Sequence, residues 1–164
     1  MKNNPQVKRI LYATDLGEHT RPVFRFALSL ADKYEAEVYV IHVAEPISAT
    51  AEAVISTYLS ETAAEEIQKS GMKEVHDHLK NRIKIFCEDE SINNKSNPES
   101  VSEILVVSGK PSEEILRVAE DNGIDIIVMG KSSRKVRGTK VMGSTARRVS
   151  RHANTAVLVV SNRK

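Results

Sequence analysis

Five short runs of β-branched and aliphatic residues punctuate this chain, and between them lie longer stretches whose apolar residues recur every three to four positions. The runs are Arg9 to Thr14 (RILYAT), Glu37 to Val43 (EVYVIHV), Val101 to Ser108 (VSEILVVS), Ile124 to Met129 (IDIIVM) and Ala156 to Val160 (AVLVV). The second is too continuous for a strand with one wet face and suits a strand covered on both sides. Strands alternating with helices imply a parallel sheet, and right-handed crossovers restrict its topology to doubly wound forms. The expected fold is therefore α/β, a single doubly wound domain with a five-stranded parallel sheet and helices on both faces. At 164 residues the chain can bury one such core. No repeat or linker divides it, so residues 1–164 read as one domain with its core from about 7 to 160.

The helical stretches carry their own punctuation. Val23, Phe26, Ala27, Leu30, Ala31 and Tyr34 form one stripe, with Thr20 as the expected N-cap and Pro22 in the tolerant first turn. Glu45-Pro46 ends the second run, and a long helical pattern follows with Ile67, Val75, Leu79 and Ile83 in a stripe weakened at Gly71. Residues 88–100 (EDESINNKSNPES) are polar and rich in turn formers, and a flexible loop is expected there. Pro111 opens a helix carrying Ile115, Val118 and Ala119, which Gly123 should stop. A short helix is expected from Gly143 to His152.

Composition narrows the function classes. No apolar stretch approaches the roughly 20 residues that span a bilayer, and the polar start, Met1 to Val7, precedes too short an apolar run for an export signal. Cys87 is the sole cysteine, so neither an internal disulfide nor a multi-cysteine metal site can form. A cytoplasmic protein is expected, with no membrane association. Net charge is only +2, but eight basic residues and no acidic one fall between Lys131 and Arg151, leaving about −6 for the rest. Such a segment attracts an anion locally or simply forms a solvated helix face. It contains no aromatic residue for base stacking, so nucleic acid is an unlikely partner.

Ligands of open doubly wound sheets bind beyond the carboxyl ends of the strands, where strand order reverses. Here Thr14-Asp15 follows the first strand, Val43-Ala44 the second, and Gly130 the fourth. Gly130 permits a sharp exit without a Cβ in a ligand's way, and Gly143-Ser144-Thr145 opens a helix whose free N–H groups and dipole favour an anion. The bland reading of the same residues is that Gly130 ends a strand and Ser144 caps a helix. A phosphate-binding P-loop is excluded because Asp125 stands where its first glycine belongs, and no G-x-G-x-x-G follows any strand.

The combination resembles the universal stress protein family from about Val7 to Val160. The family's G-x2-G-x9-G-[ST] pattern is matched by Gly130 and by Gly143-Ser144 at the full spacing, with Ser133 where the second glycine is usual. ILYATD ending in Asp15, the pair His42-Val43, and VSGKPSEEILRVAEDNGIDIIVMG are similar to its other segments, while Gly17 and Ala156 replace a serine and a proline common there. The resemblance implies an adenine nucleotide alpha hydrolase-like domain that binds ATP, or ADP or AMP, with Mg2+ accompanying the nucleotide. It places Asp15 on the ribose side and Val43 against the adenine through its backbone. Gly130, Ser133, Gly143, Ser144 and Thr145 would surround the phosphates, and Met129 would be a further nucleotide-binding residue. It further implies a stress-response regulator in which ATP orders residues 131–142, and a homodimer joined through strand 156–160. A proline at 158 is then expected to disrupt the pairing.

Other reactive residues are less informative. His42 reads as a hydrogen-bonded histidine within a strand, and His76 and His78 fall on different faces of a helix, which argues against a zinc pair. No triad, metal cluster or carboxylate pair is evident, so no dedicated enzyme is expected and ATP hydrolysis would be slow at most, with Asp15 the sole candidate to activate water. The alternative function is a dimeric interaction protein of the same fold that holds no nucleotide.

Overall fold

The structure is a computed structural model that describes residues 4–17, 19–131, 135–136 and 139–161; for residues 61, 135, 136, 139 and 140 it describes the backbone alone. Strands β1 (Arg9–Ala13), β2 (Glu37–Ala44), β3 (Val101–Ser108) and β4 (Ile126–Gly130) alternate with helices α1 (Arg21–Tyr34), α2 (Ala49–Tyr58), α3 (Glu61–Asn93) and α4 (Pro111–Asp121). Two-residue strands β5 (Lys135–Val136) and β6 (Thr139–Lys140) pair with each other, and α5 (Ser144–His152) leads into β7 (Ala156–Val160). The main sheet is parallel throughout, in the order β3-β2-β1-β4-β7, so strand order reverses between β1 and β4.

Two apolar layers cover this sheet, and the period-two pleat assigns residues between them. Ile10, Tyr12, Val38, Val40 and Val128 pack with Phe24 and Leu28 of α1 and Ile83 and Cys87 of α3. Leu11, Ile41 and Ile127 face the other way, onto Ile115 and Val118 of α4 and Val149 of α5. Burial on both faces is why the strands read as continuous apolar runs. Gly123 supplies the left-handed turn (φ 58°) that stops α4, and the Ile124 N–H closes it on the Ala119 carbonyl.

The strands are joined where they begin. One Asp125 carboxylate oxygen accepts the backbone N–H groups of Lys8 (2.8 Å) and Arg9 (2.9 Å), and the Asp125 N–H donates to the Arg9 carbonyl. The Thr155 hydroxyl reaches the Asp125 carbonyl at 2.7 Å. The starts of β1, β4 and β7 are thereby held around one residue.

Several sequence expectations need correction. The buried stripe of α1 is Val23, Phe24, Ala27, Leu28 and Ala31, whereas Phe26 and Tyr34 are exposed. Val23, Ala27 and Ala31 form the centre of either stripe, and periodicity alone cannot decide which flank turns inward. Phe24 decides it by stacking between Tyr12 (ring centroids 5.1 Å) and Phe86 (5.4 Å). Thr20 holds the N-cap position, but its hydroxyl donates to the Gly17 carbonyl and does not cap the helix.

The long helical pattern is two helices, because Leu59 and Ser60 are extended. Of the stripe named for it, Ile83 is buried and Ile67 and Val75 are exposed.

The loop expected over residues 88–100 begins as helix. Helix α3 continues to Asn93 because Glu90, 1% exposed, lies between Arg21 (3.4 Å) and Arg25 (3.0 Å) of α1. A short 3-10 turn then spans Pro98–Ser100.

Candidate functional site

An open cavity of about 730 Å3 lies beyond the carboxyl ends of β1, β2 and β4, at the reversal of strand order. Each wall comes from a different local device. After β1, the Leu16 N–H donates to the Thr14 hydroxyl (3.1 Å) and the Gly17 N–H to the Asp15 carboxylate (2.9 Å), while Leu16 itself adopts φ 59°. A left-handed leucine is costly, and such backbone strain gathers where geometry matters more than stability. The resulting turn holds the exposed Asp15 carboxylate at the rim of the cavity.

The second wall is the end of β2. The Ile41 carbonyl accepts the Thr14 N–H at 2.9 Å, so Ile41 turns its polar backbone toward β1. Val43, two residues on, turns its N–H and C=O the same way, but β1 has ended by then. Ala44 turns the other way and accepts from Gly109 on the β3 side at 3.1 Å. Val43 therefore presents a backbone donor and acceptor where no strand continues. His42 Nδ1 lies 2.9 Å from the Thr14 carbonyl oxygen. That oxygen can only accept, so Nδ1 carries a proton.

The third wall joins β4 to α5. The Lys131 N–H donates to the Val160 carbonyl (2.8 Å), and the Gly143 N–H donates to the Lys131 carbonyl (2.9 Å). The second bond brings Gly130 and Gly143 together across the intervening segment. Gly143 is the N-cap of α5 in an extended conformation, and no side chain caps the helix. The first-turn N–H groups thus have no intrahelical acceptor and open toward the cavity. Helix α5 has no acidic residue in that turn.

Seven of the eight residues singled out from sequence line this one cavity: Asp15, Val43, Met129, Gly130, Gly143, Ser144 and Thr145. Ser133 lies outside the described residues, as does much of the 131–142 segment. Four charged residues line the cavity, of which Glu45, Lys131 and Arg147 were missed as site residues, and the four are segregated. Asp15 is joined by Glu45 at the β1–β2 end, whereas Lys131 and Arg147 stand at the β4–α5 end. The signal for the two cations was the basic run, although sequence alone does not say which of its members face inward. A second cavity of about 710 Å3, between α3 and β3, contains none of the residues singled out.

The family model described as the Universal stress protein family matches residues 6–161. The chain belongs to the universal stress protein family. A universal stress protein of Methanocaldococcus jannaschii is 29% identical over 159 residues, covering 95% of this chain and 96% of the relative. The structure of a universal stress protein from Archaeoglobus fulgidus in complex with dAMP aligns with a TM-score of 0.53 at 22% identity, over 94% of this chain and 98% of that one. Another universal stress protein, in complex with cAMP, aligns with a TM-score of 0.60 at 16% identity, over 97% and 100%. At these identities the two structures show a common fold. Among the described residues of this universal stress protein, no helix is long and apolar enough to cross a membrane.

Proposed function

We propose that this universal stress protein is a cytoplasmic regulator that binds ATP, or a shorter adenine nucleotide, in the cavity at the reversal of strand order. The observation that carries the reading is the polarity of that cavity. Carboxylates and the Val43 backbone stand at one end, and a bare helix N-terminus with two cations stands at the other. An elongated ligand with a hydroxyl-rich, uncharged end and an anionic end fits this arrangement, and a nucleotide is such a ligand. Two universal stress proteins of the same fold were solved with dAMP and cAMP. Asp15 would accept from ribose hydroxyls, the Val43 backbone would meet the base, and the N–H and hydroxyl groups of Ser144 and Thr145 would hold phosphate oxygens. Mg2+ keeps most of its shell as water and phosphate. Asp15 and Glu45 stand at the end of the cavity away from the phosphate site, so Mg2+ would come with the nucleotide, held by phosphate oxygens and water and not by these side chains. Occupancy would act on residues 131–142, whose ends the Gly143–Lys131 bond already ties together.

Calorimetry with ATP, AMP and GTP tests this. ATP should bind with measurable heat and raise the thermal midpoint. Ser144→Ala should weaken binding by about 1–2 kcal/mol. Absence of both heat and thermal shift at millimolar ATP would overturn the reading. The second reading is a dimeric interaction protein without nucleotide, favoured by the apolar β7 at the edge of the sheet.

A further inference from the structure

We propose that the free edge of β3 and the helix α3 beside it form a docking groove for an extended, acidic segment of a partner protein, which adds to the sheet as a further strand. The groove is the cavity of about 710 Å3 between these two elements. Strand β3 ends the sheet on the side opposite β7, with β2 as its sole neighbour. The Gly109 N–H donates to the Ala44 carbonyl of β2, so by alternation Val107 and Leu105 also turn their backbone groups toward β2. Ile104 and Val106 turn theirs outward. Their side chains lie in one apolar layer and that of Leu105 in the other. A cavity lined by all three residues therefore wraps round the edge and takes in its outward N–H and C=O groups.

The helix supplies the charge. Lys69, Lys73, His76 and Lys80 line the cavity and follow one another at intervals of four, three and four residues, which puts them on one face of α3. His76 Nε2 lies 3.0 Å from the Ser108 hydroxyl oxygen, so this face is fastened to the end of β3. Lys84, farther along the helix and outside the cavity, pairs with Glu88 at 3.9 Å. No carboxylate among the described residues lies within ion-pairing distance of Lys69, Lys73 or Lys80. Glu65 and Asp77 also line the cavity, but Glu65 stands at the N-terminal end of the stripe and Asp77 points about 100° round the helix from His76. Pairing β3 with β3 of a second copy would bring two lysine stripes together, and charges of one sign on an edge discourage such pairing. An acidic strand meets no such barrier. Backbone bonds to Ile104 and Val106 would hold it, and every second side chain would face α3, where carboxylates meet the lysines.

The probe is a fluorescein-labelled peptide of alternating glutamate and valine, titrated with the intact protein and read by anisotropy. It should bind, more weakly as salt rises, and a lysine–valine peptide should not. Lys73→Ala should weaken it about threefold and Lys69→Glu with Lys73→Glu roughly tenfold, while Lys84→Ala leaves it unchanged. N-methylation of the peptide backbone should abolish binding, because it removes the donors that pair with the edge. Equal binding of the N-methylated peptide would show attraction by charge alone and overturn strand addition. No binding at millimolar peptide, or binding indifferent to the paired lysine reversal, also overturns the proposal; the lysines then only shield the edge. A light-scattering mass that Lys73→Glu lowers would give the edge to a second copy and overturn the acidic partner.

Discussion

Cys87 is 3% exposed, on the face of α3 that packs against α1 and the sheet. Burial, with a smaller contribution from Glu88, pushes its thiol up from 9.0 to about 12. The thiolate is the reactive form, so Cys87 should resist iodoacetamide at pH 8 in the folded protein and react fully in denaturant. Alkylation at the rate of a free thiol without denaturant would contradict the packing described. The same shift sets a pH dependence. A group whose pKa is raised in the folded state contributes its stability in full below its unfolded value and loses it as pH rises toward the folded value. Urea midpoints should therefore fall between about pH 9 and pH 12. Tyr12, also raised by burial, adds to the loss in the same direction.

Helix α3 is held unevenly. Its C-terminal part is clamped to α1 through Glu90, while Ile67 and Val75 toward its N-terminus stay exposed. Glu90→Ala should lower the unfolding free energy by about 2 kcal/mol, because both arginines are at least half exposed and are easily resolvated. An unchanged urea midpoint would show that the clamp contributes nothing. Glu90 also marks the limit of what the sequence discloses. The strands were legible because burial on two faces leaves a continuous apolar run. EDESINN read as loop because a charged run is ordinarily solvated, and only the approach of Arg21 and Arg25 from another element makes Glu90 a buried helical residue. The flank of α1 was illegible for a related reason, since Phe24 and Phe26 straddle the same centre and the neighbouring rings decide between them. In the site, glycine spacing located the β4–α5 wall. The inward placement of Lys131 and Arg147 depends on how residues 130 and 143 are brought together, and composition does not encode that.

For the molecule as a whole, β7 occupies one edge of the sheet, beside β4 alone. The Val160 carbonyl accepts from Lys131 on the β4 side, so Leu158 also turns its backbone groups inward and Val157 and Val159 turn theirs to the open edge. A proline at 158 would therefore break the β4–β7 ladder and damage the fold; a test of edge pairing belongs at 159. We expect a homodimer through this edge, with a light-scattering mass twice the 18.2 kDa of one chain. Val159→Pro should lower that mass while preserving the far-UV circular dichroism. A mass near 18 kDa for the parent protein would refute the pairing. The junction at Asp125 has a different consequence. It fastens β1, β4 and β7 at the margin of the sheet opposite the cavity, much as a spine binds pages that part at the fore-edge. On the proposed reading, folding and recognition fall to opposite ends of the same strands, and substitutions at the two ends should combine additively. The open margin can change what it holds without loosening the bound one.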